Sequence, residues 1–288
     1  MSRWNRLALF FLLLCLAPGC AALTLREAQD SFNKGAEIEL RALDRSWRSD
    51  NPDASPSDSW AALNSYRLAN SAATKLIDSN SASLKQDNLL GATYVLKAMA
   101  LWRISDLEAV PPSEGEQPGA VQGPAGPGKK PANTRQELLA ALNRIEELQS
   151  HQEITLGTRD RVLFKALYGF YDHDGGRAES DYMKARAWFQ SANKRLKESL
   201  GGVPPQHPIR VYVGSARLRT LAAWNQALYV GKKSVADPDV PKKDQTAINE
   251  TAKEAYCGLR PFWETNGDVK KSLTQLLAAV GLPSLQCE

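Results

Sequence analysis

The chain has 288 residues, of which 43% are hydrophobic and 24% charged, a composition that excludes wholesale disorder and a polytopic membrane protein. Its formal net charge is +4, and Lys and Arg alternate with Glu and Asp along the chain. No basic run is interleaved with aromatics, so the sequence carries no nucleic-acid footprint.

At the N-terminus, Arg3 and Arg6 precede an unbroken apolar run from Leu7 to Leu16, followed by Pro18-Gly19-Cys20-Ala21-Ala22. A positive region, a short apolar core and small residues at a cleavage region together read as a secretory signal peptide over residues 1–22. The apolar run is about half the roughly 20 residues that a spanning helix requires. Without Arg3 and Arg6 the formal charge of +4 falls to +2.

The stretch Leu16-Ala17-Pro18-Gly19-Cys20 resembles the lipobox of bacterial lipoproteins. The resemblance implies lipid attachment at Cys20 and, with Ala rather than Asp at position 21, an anchor in the outer membrane facing the periplasm. Ordinary cleavage near Ala21 or Ala22 is the alternative. Cys15 lies inside the apolar run, which leaves Cys257 and Cys287 in the folded part. In an oxidising compartment these two are expected to form a disulfide, with two free buried thiols as the alternative. No His accompanies either cysteine, so zinc is not indicated.

Helical patterning dominates the chain beyond residue 22. Thr24 with Glu27, Ser83 with Gln86 and Thr134 with Glu137 have capping-box spacing, and Ser55-Pro56-Ser57-Asp58 places Pro and an acid in a first turn. Helices are expected at 25–48, 56–79, 84–107, 134–150, 159–173, 179–199, 208–231, 243–258 and 268–280. Gly201-Gly202, Gly231 and Gly281 stand where left-handed C-terminal residues are wanted. Residues 110–133 have Pro or Gly at nearly half their positions and no apolar period, and read as a disordered linker. The expected organisation is a signal peptide 1–22, an N-terminal helical part 23–109, the linker 110–133 and a C-terminal helical part 134–288.

Two triplets, Ala62, Tyr66, Ala69 and Ala185, Phe189, Ala192, fall at i, i+4 and i+7. Small residues at this spacing let helices approach closely while the aromatic fills the groove between them. Ahead of the second triplet stand Leu163, Leu167, Gly169 and Tyr171, and then Asp172-His173-Asp174-Gly175-Gly176, which reads as an inserted loop. The stretches 56–79 and 159–199 resemble tetratricopeptide repeat proteins of the bacterial envelope. The resemblance implies an all-α helical-hairpin repeat stack with a concave surface for peptides or protein partners; a multi-helix bundle is the alternative fold.

No catalytic motif is present. The three histidines, His151, His173 and His207, form no metal motif, and no Gly-rich phosphate loop or nucleophile elbow occurs. Glu146-Glu147 are adjacent on a helix and point to different faces. No cofactor or metal is therefore expected. For partner binding, Trp47 lies among charges in Arg45-Ser46-Trp47-Arg48, and Phe262 and Trp263 follow a helix-breaking Pro261. Tyr168, Phe170, Tyr171 and Tyr182 mark a second aromatic groove, whereas Trp102, Trp188 and Trp224 fall in apolar stripes. The expectation is an exported, lipid-anchored interaction or assembly module with protein partners in the envelope. A helical solute-binding component of a transport system is the alternative.

Overall fold

The computed structural model describes residues 21–39, 56–108, 131–232, 235–283 and 285–287. Residues 1–20 of the signal peptide, with Cys20, the Trp47 segment and nearly all of the Pro/Gly-rich stretch lie outside them. Among the described residues every regular element is helical. The helices are α1 (21–39), α2 (Pro56–Gln86), α3 (Leu90–Glu108), α4 (Pro131–Ser150), α5 (Thr158–Ala178), α6 (Tyr182–Ser199), α7 (Ile209–Gly231), α8 (Asp239–Cys257), α9 (Arg260–Trp263) and α10 (Gly267–Val280). None is long and apolar enough to cross a membrane.

Two compact units divide the chain, residues 1–156 and 157–288. The first therefore includes α4, which follows the Pro/Gly-rich stretch yet packs on α3. Within it, Ala62, Tyr66, Ala69, Ala73 and Leu76 form the buried stripe of α2. Phe32 and Ile38 of α1 pack against Ala62 and Tyr66, the Phe32 and Tyr66 rings meeting edge-on at 5.1 Å. Helix α3 is buried around most of its circumference because α2 and α4 both pack on it. A helix apolar on all faces can be stable only in such a position.

All three expected capping boxes are displaced. Residues 21–39 are helical from the first one described, so Thr24 sits inside α1 rather than ahead of it. At Asn80 (φ −134°, ψ 21°) the helical backbone of α2 is broken, which bears out a helix end near 79, and a second helical stretch that holds Ser83 runs on to Gln86. Burial of Leu84 holds that last stretch in place, and the turn to α3 is made by residues 87–89 with Asn88 at φ 60°. Thr134 is also interior, since α4 starts at Pro131, and its hydroxyl donates to Glu108 across the α3–α4 contact at 2.9 Å. A hydroxyl three residues before an acid is common on any polar helix face, and tertiary packing decided these ends.

In the second unit α5 and α6 are antiparallel, with Gly169 beside Leu196 and Gly176 beside Phe189. Helix α7 runs antiparallel to α6, Gly231 lying beside Tyr182 and Arg217 bonding to Asn193 at 3.2 Å. From Leu259, beside Gly214, to Gly281, near Asn225, the chain of α9 and α10 climbs α7 in the parallel direction. The helices thus stand in two rows, α5, α7, α10 and α6, α8, with α7 touching α5, α6, α8 and α10. One core runs through the stack and includes Ala185, Phe189, Leu218, Leu221, Trp224, Ile248, Ala252, Leu273 and Leu277.

Asp172-His173-Asp174-Gly175-Gly176 is not a loop; α5 continues through it to Ala178. The reason is steric. A Cβ on Gly176 would lie 2.7 Å from the Phe189 ring, so the glycines seat the α6 aromatic instead of breaking the helix. Gly231 is helical too, and is small because Tyr182 occupies the space its side chain would need. Gly202 (φ 76°) and Gly281 (φ 91°) do adopt the left-handed conformation. Asp181 and Asn266 supply the side-chain caps of α6 and α10. Cys257 and Cys287 are joined by a disulfide that ties the C-terminal tail to the end of α8. Closing this 30-residue separation restricts the unfolded chain by about 3–4 kcal/mol in the loop-entropy account.

Gly169 tests the close-approach argument, because a Cβ there would meet Leu196 Cγ at 2.6 Å and the Ala192 carbonyl at 3.2 Å. Gly169→Ala should destabilise the protein by about 1–3 kcal/mol despite the better helix propensity of Ala. Gly267→Ala, where a Cβ meets nothing within 4 Å, should be neutral or stabilising. The midpoint of urea unfolding, with the disulfide intact, distinguishes the two.

Candidate functional site

The polar groups inside each unit form hubs between helices. In the first, Glu39 of α1 accepts hydrogen bonds from the Tyr66 hydroxyl and from the Arg103 guanidinium, which also holds Asp106 at 2.7 Å. Burial, and then the Glu39 carboxylate, push the Tyr66 phenol well above its ordinary range. Burial works to lower the Arg103 pKa, but Glu39 and Asp106 outweigh it and hold the guanidinium charged.

Three hubs tie the second unit's helices together. Asp244, 2% exposed, accepts from the Tyr182 hydroxyl at 2.6 Å and from Arg186 Nε at 2.7 and 2.9 Å. Asp172 accepts from Ser191 at 2.6 Å and pairs with Arg195 at 2.8 Å. Arg217, buried on α7, reaches Asn193 of α6 and Glu254 of α8, and Lys197 of α6 pairs with the same Glu254 at 3.0 Å. Desolvation lowers the Arg217 pKa. At Glu254 desolvation acts upward, but Lys197 and Arg217 together hold the carboxyl below its usual range. His173 Nδ1 lies 3.1 Å from the Thr220 hydroxyl, which donates to the Ala216 carbonyl at 3.0 Å. Asp172 and His173, read in sequence as part of a solvated loop, are thus bonded into helix contacts. Among the described residues no group of three or more His, Cys, Asp or Glu could hold a metal ion.

The aromatics expected to share one groove face different neighbours. Phe170 is buried against Tyr212, at 5.8 Å between ring centroids, while Tyr171 meets Trp188 of α6 at 6.2 Å. Tyr168 stacks edge-on with Phe164 and carries the Arg195 guanidinium 4.9 Å above its ring. Tyr182 is 5% exposed and belongs to the stack core with its hydroxyl on Asp244. Consecutive residues on a helix point about 100° apart while residues three apart share a face, so Tyr168 and Tyr171 both turn to α6 and Phe170 turns to α7.

Pro261 leaves its neighbours Phe262 and Trp263 half-buried. It stands in the first turn of α9, where its missing N–H is tolerated. Trp263 stacks on Tyr256 at 5.2 Å, donates from its indole nitrogen to the Tyr256 carbonyl at 3.1 Å, and lies under Lys270. Phe262 packs against the stack core. Of the three tryptophans placed in apolar stripes, Trp224 is buried, while Trp102 and Trp188 are half-buried.

A recess lies elsewhere. A cleft of about 500 Å³ is lined by Asn225, Gln226, Leu228, Tyr229 and Lys232 of α7 and its C-terminus, Pro241, Lys242 and Gln245 of α8, and Ala279 of α10. Tyr229, in its lining, is 73% exposed and the next residue, Val230, is 75% exposed, and the Lys232 ammonium lies 4.6 Å from the Tyr229 ring centroid. Sequence reasoning missed these residues because α7 and α8 come together only in the folded stack. A trace of the signal was nevertheless present, since Tyr229 and Val230 fall off the buried stripe of Leu221, Trp224 and Leu228. Comparison with protein-family models, curated proteins and solved structures finds no match to this chain.

Asp244 is the hub whose loss leaves most unsatisfied. Asp244→Ala strands the Tyr182 hydroxyl in the core and removes the partner of half-exposed Arg186, and should cost about 2–4 kcal/mol in urea unfolding. Burial, followed by the Asp244 carboxylate, raises the Tyr182 pKa. A raised pKa keeps its stabilisation at every pH below the ordinary phenol value and loses it as pH rises above that value. Alkaline solution should therefore weaken the unit. The phenolate signal given by subtracting a Tyr182→Phe variant should emerge only as the protein unfolds.

Proposed function

We propose that this chain is an exported protein of the bacterial cell envelope that acts as an interaction or assembly module, held at the outer membrane by lipid on Cys20. The single observation that carries the reading is the pair Tyr229-Val230, three-quarters exposed on a helix whose other face is sealed into the core, with Tyr229 lining a cleft of about 500 Å³. Large apolar side chains held on a rigid helix are the material of protein interfaces. The two-row order and the buried Ala185, Phe189 and Ala192 support a tetratricopeptide-like stack, whose use is to present such surfaces.

A second reading, solute binding in the same cleft, is favoured by its volume, which falls within the range of small-molecule sites. The mixed, open lining and the protruding Tyr229 favour a protein partner over a solute.

A photo-reactive amino acid at Tyr229 tests the reading in the native envelope, with the same group at exposed Lys194 of α6 as the control. The expected result is a discrete protein adduct from Tyr229 that Lys194 does not give. Loss of membrane association in a Cys20→Ala strain is expected alongside it. No adduct at Tyr229, or the same adducts at both positions, contradicts the interaction module, and unchanged membrane partition in the variant contradicts the anchor.

A further inference from the structure

The cleft at the α7–α8 turn is specific in its chemistry as well as its shape. Its lining has two ammonium groups, Lys232 and Lys242, three amide side chains, Asn225, Gln226 and Gln245, and no carboxylate. Across Lys242 it continues into a shallower recess of about 330 Å³, lined by Lys242, Lys243, Thr246, Ala247 and Glu250. The two recesses share Lys242, so together they form a track along the N-terminal half of α8 rather than a closed cavity.

The acids nearest the first recess are already engaged. Asp237 accepts from the Asp239 backbone N–H at 2.9 Å, and Asp239 pairs with Lys242 at 3.8 Å. That pair is exposed on both sides, 81% for Lys242 and 65% for Asp239. An exposed pair of this length contributes little and yields readily to a better-placed anion. Asp244 points the other way, into the core with Tyr182 and Arg186. Besides Asp239, Glu250 at the far end of the second recess faces the three lysines. The track also passes the N-terminal turn of α8, where the helix dipole favours negative charge.

We infer that this track is the docking site for an extended, acidic peptide segment of the partner protein. Its carboxylates meet Lys232, Lys242 and Lys243, and its apolar side chains lie against Tyr229, Leu228 and Pro241. Amides along the track are suited to backbone N–H and C=O groups, which an extended segment leaves unpaired. Length is the argument for a peptide over a solute, since two joined recesses offer more surface than a single small molecule covers. The inference rests on the interaction-module reading and names the partner's chemistry.

The test uses the full exported chain with its disulfide intact and a fluorescein-labelled decapeptide of alternating Glu and Leu, followed by fluorescence anisotropy. Binding is expected at low salt and should weaken as salt rises. In a Lys232→Glu, Lys242→Glu variant with an unchanged unfolding midpoint, affinity should fall about tenfold or more. Lys194→Glu should leave it unchanged. Equal binding of a Lys-Leu decapeptide, no loss of affinity in the double variant, or binding only to vesicles containing phosphatidylglycerol each overturns the inference. A Tyr229 cross-link that persists in the double variant, without acidic-peptide binding, sinks the inference alone. Absence of that cross-link in the wild-type protein sinks the underlying reading.

Discussion

Close helix-to-helix approach at glycine is the constraint on which the second unit depends. At Gly169, Gly176, Gly214 and Gly231 an added Cβ would stand 2.6 to 2.7 Å from Leu196, Phe189, Leu259 and Tyr182 respectively. Each glycine admits a large side chain from a neighbouring segment into the surface of its own helix, and the helices pack by this interlock. Gly176 and Gly231 lie near helix C-termini, where glycine ordinarily ends a helix. Here they remain helical because the space matters more than the conformational freedom. The stack can therefore place α7 against four other helices with one continuous core.

The polar hubs follow from that geometry. Once α6 and α8 flank α7, buried carboxylates and guanidinium groups must find partners on neighbouring helices, and Asp244 of α8 with Tyr182 and Arg186 of α6 does so on three hydrogen bonds. Removing one member of such a hub costs more than the hub contributes in total, which gives it a role in fixing helix register. Arg217 is the strained member of the set, with Nη2 buried and unbonded while Nε and Nη1 reach Asn193 and Glu254. The surface is treated differently. Tyr229 and Val230 project from the same α7 whose Leu221, Trp224 and Leu228 close the core, so one rigid element carries both the fold and the exposed pair.

Much of the fold was legible in the sequence because it is written in periodicity. The Ala185, Phe189, Ala192 triplet was legible as a close-packing stripe, and all three residues are buried between helices. Helix ends were less legible. Thr24, Ser83 and Thr134 carry capping-box spacing inside helices, and Gly175-Gly176 imitates a loop, because a local motif does not record which neighbour will pack on it. The site was the least legible part. Aromatic density drew attention to Tyr168, Phe170, Tyr171 and Tyr182, yet adjacent aromatics on a helix diverge and these serve separate contacts. The cleft is instead assembled from Asn225, Tyr229, Lys232, Lys242 and Gln245, residues common on any solvated helix face. Only the antiparallel packing of α7 and α8 brings them together.

The central claim is that α7 is the sandwiched element around which the second unit is built. Native-state hydrogen exchange on the intact chain tests it most directly, residue by residue along α5 to α10. The account predicts that the amides of Leu218, Leu221 and Trp224 exchange only through global unfolding of the unit, together with those around Phe189 of α6, and later than the α10 amides. Exchange of the α7 amides by local opening, while α8 or α10 remains protected, would contradict it.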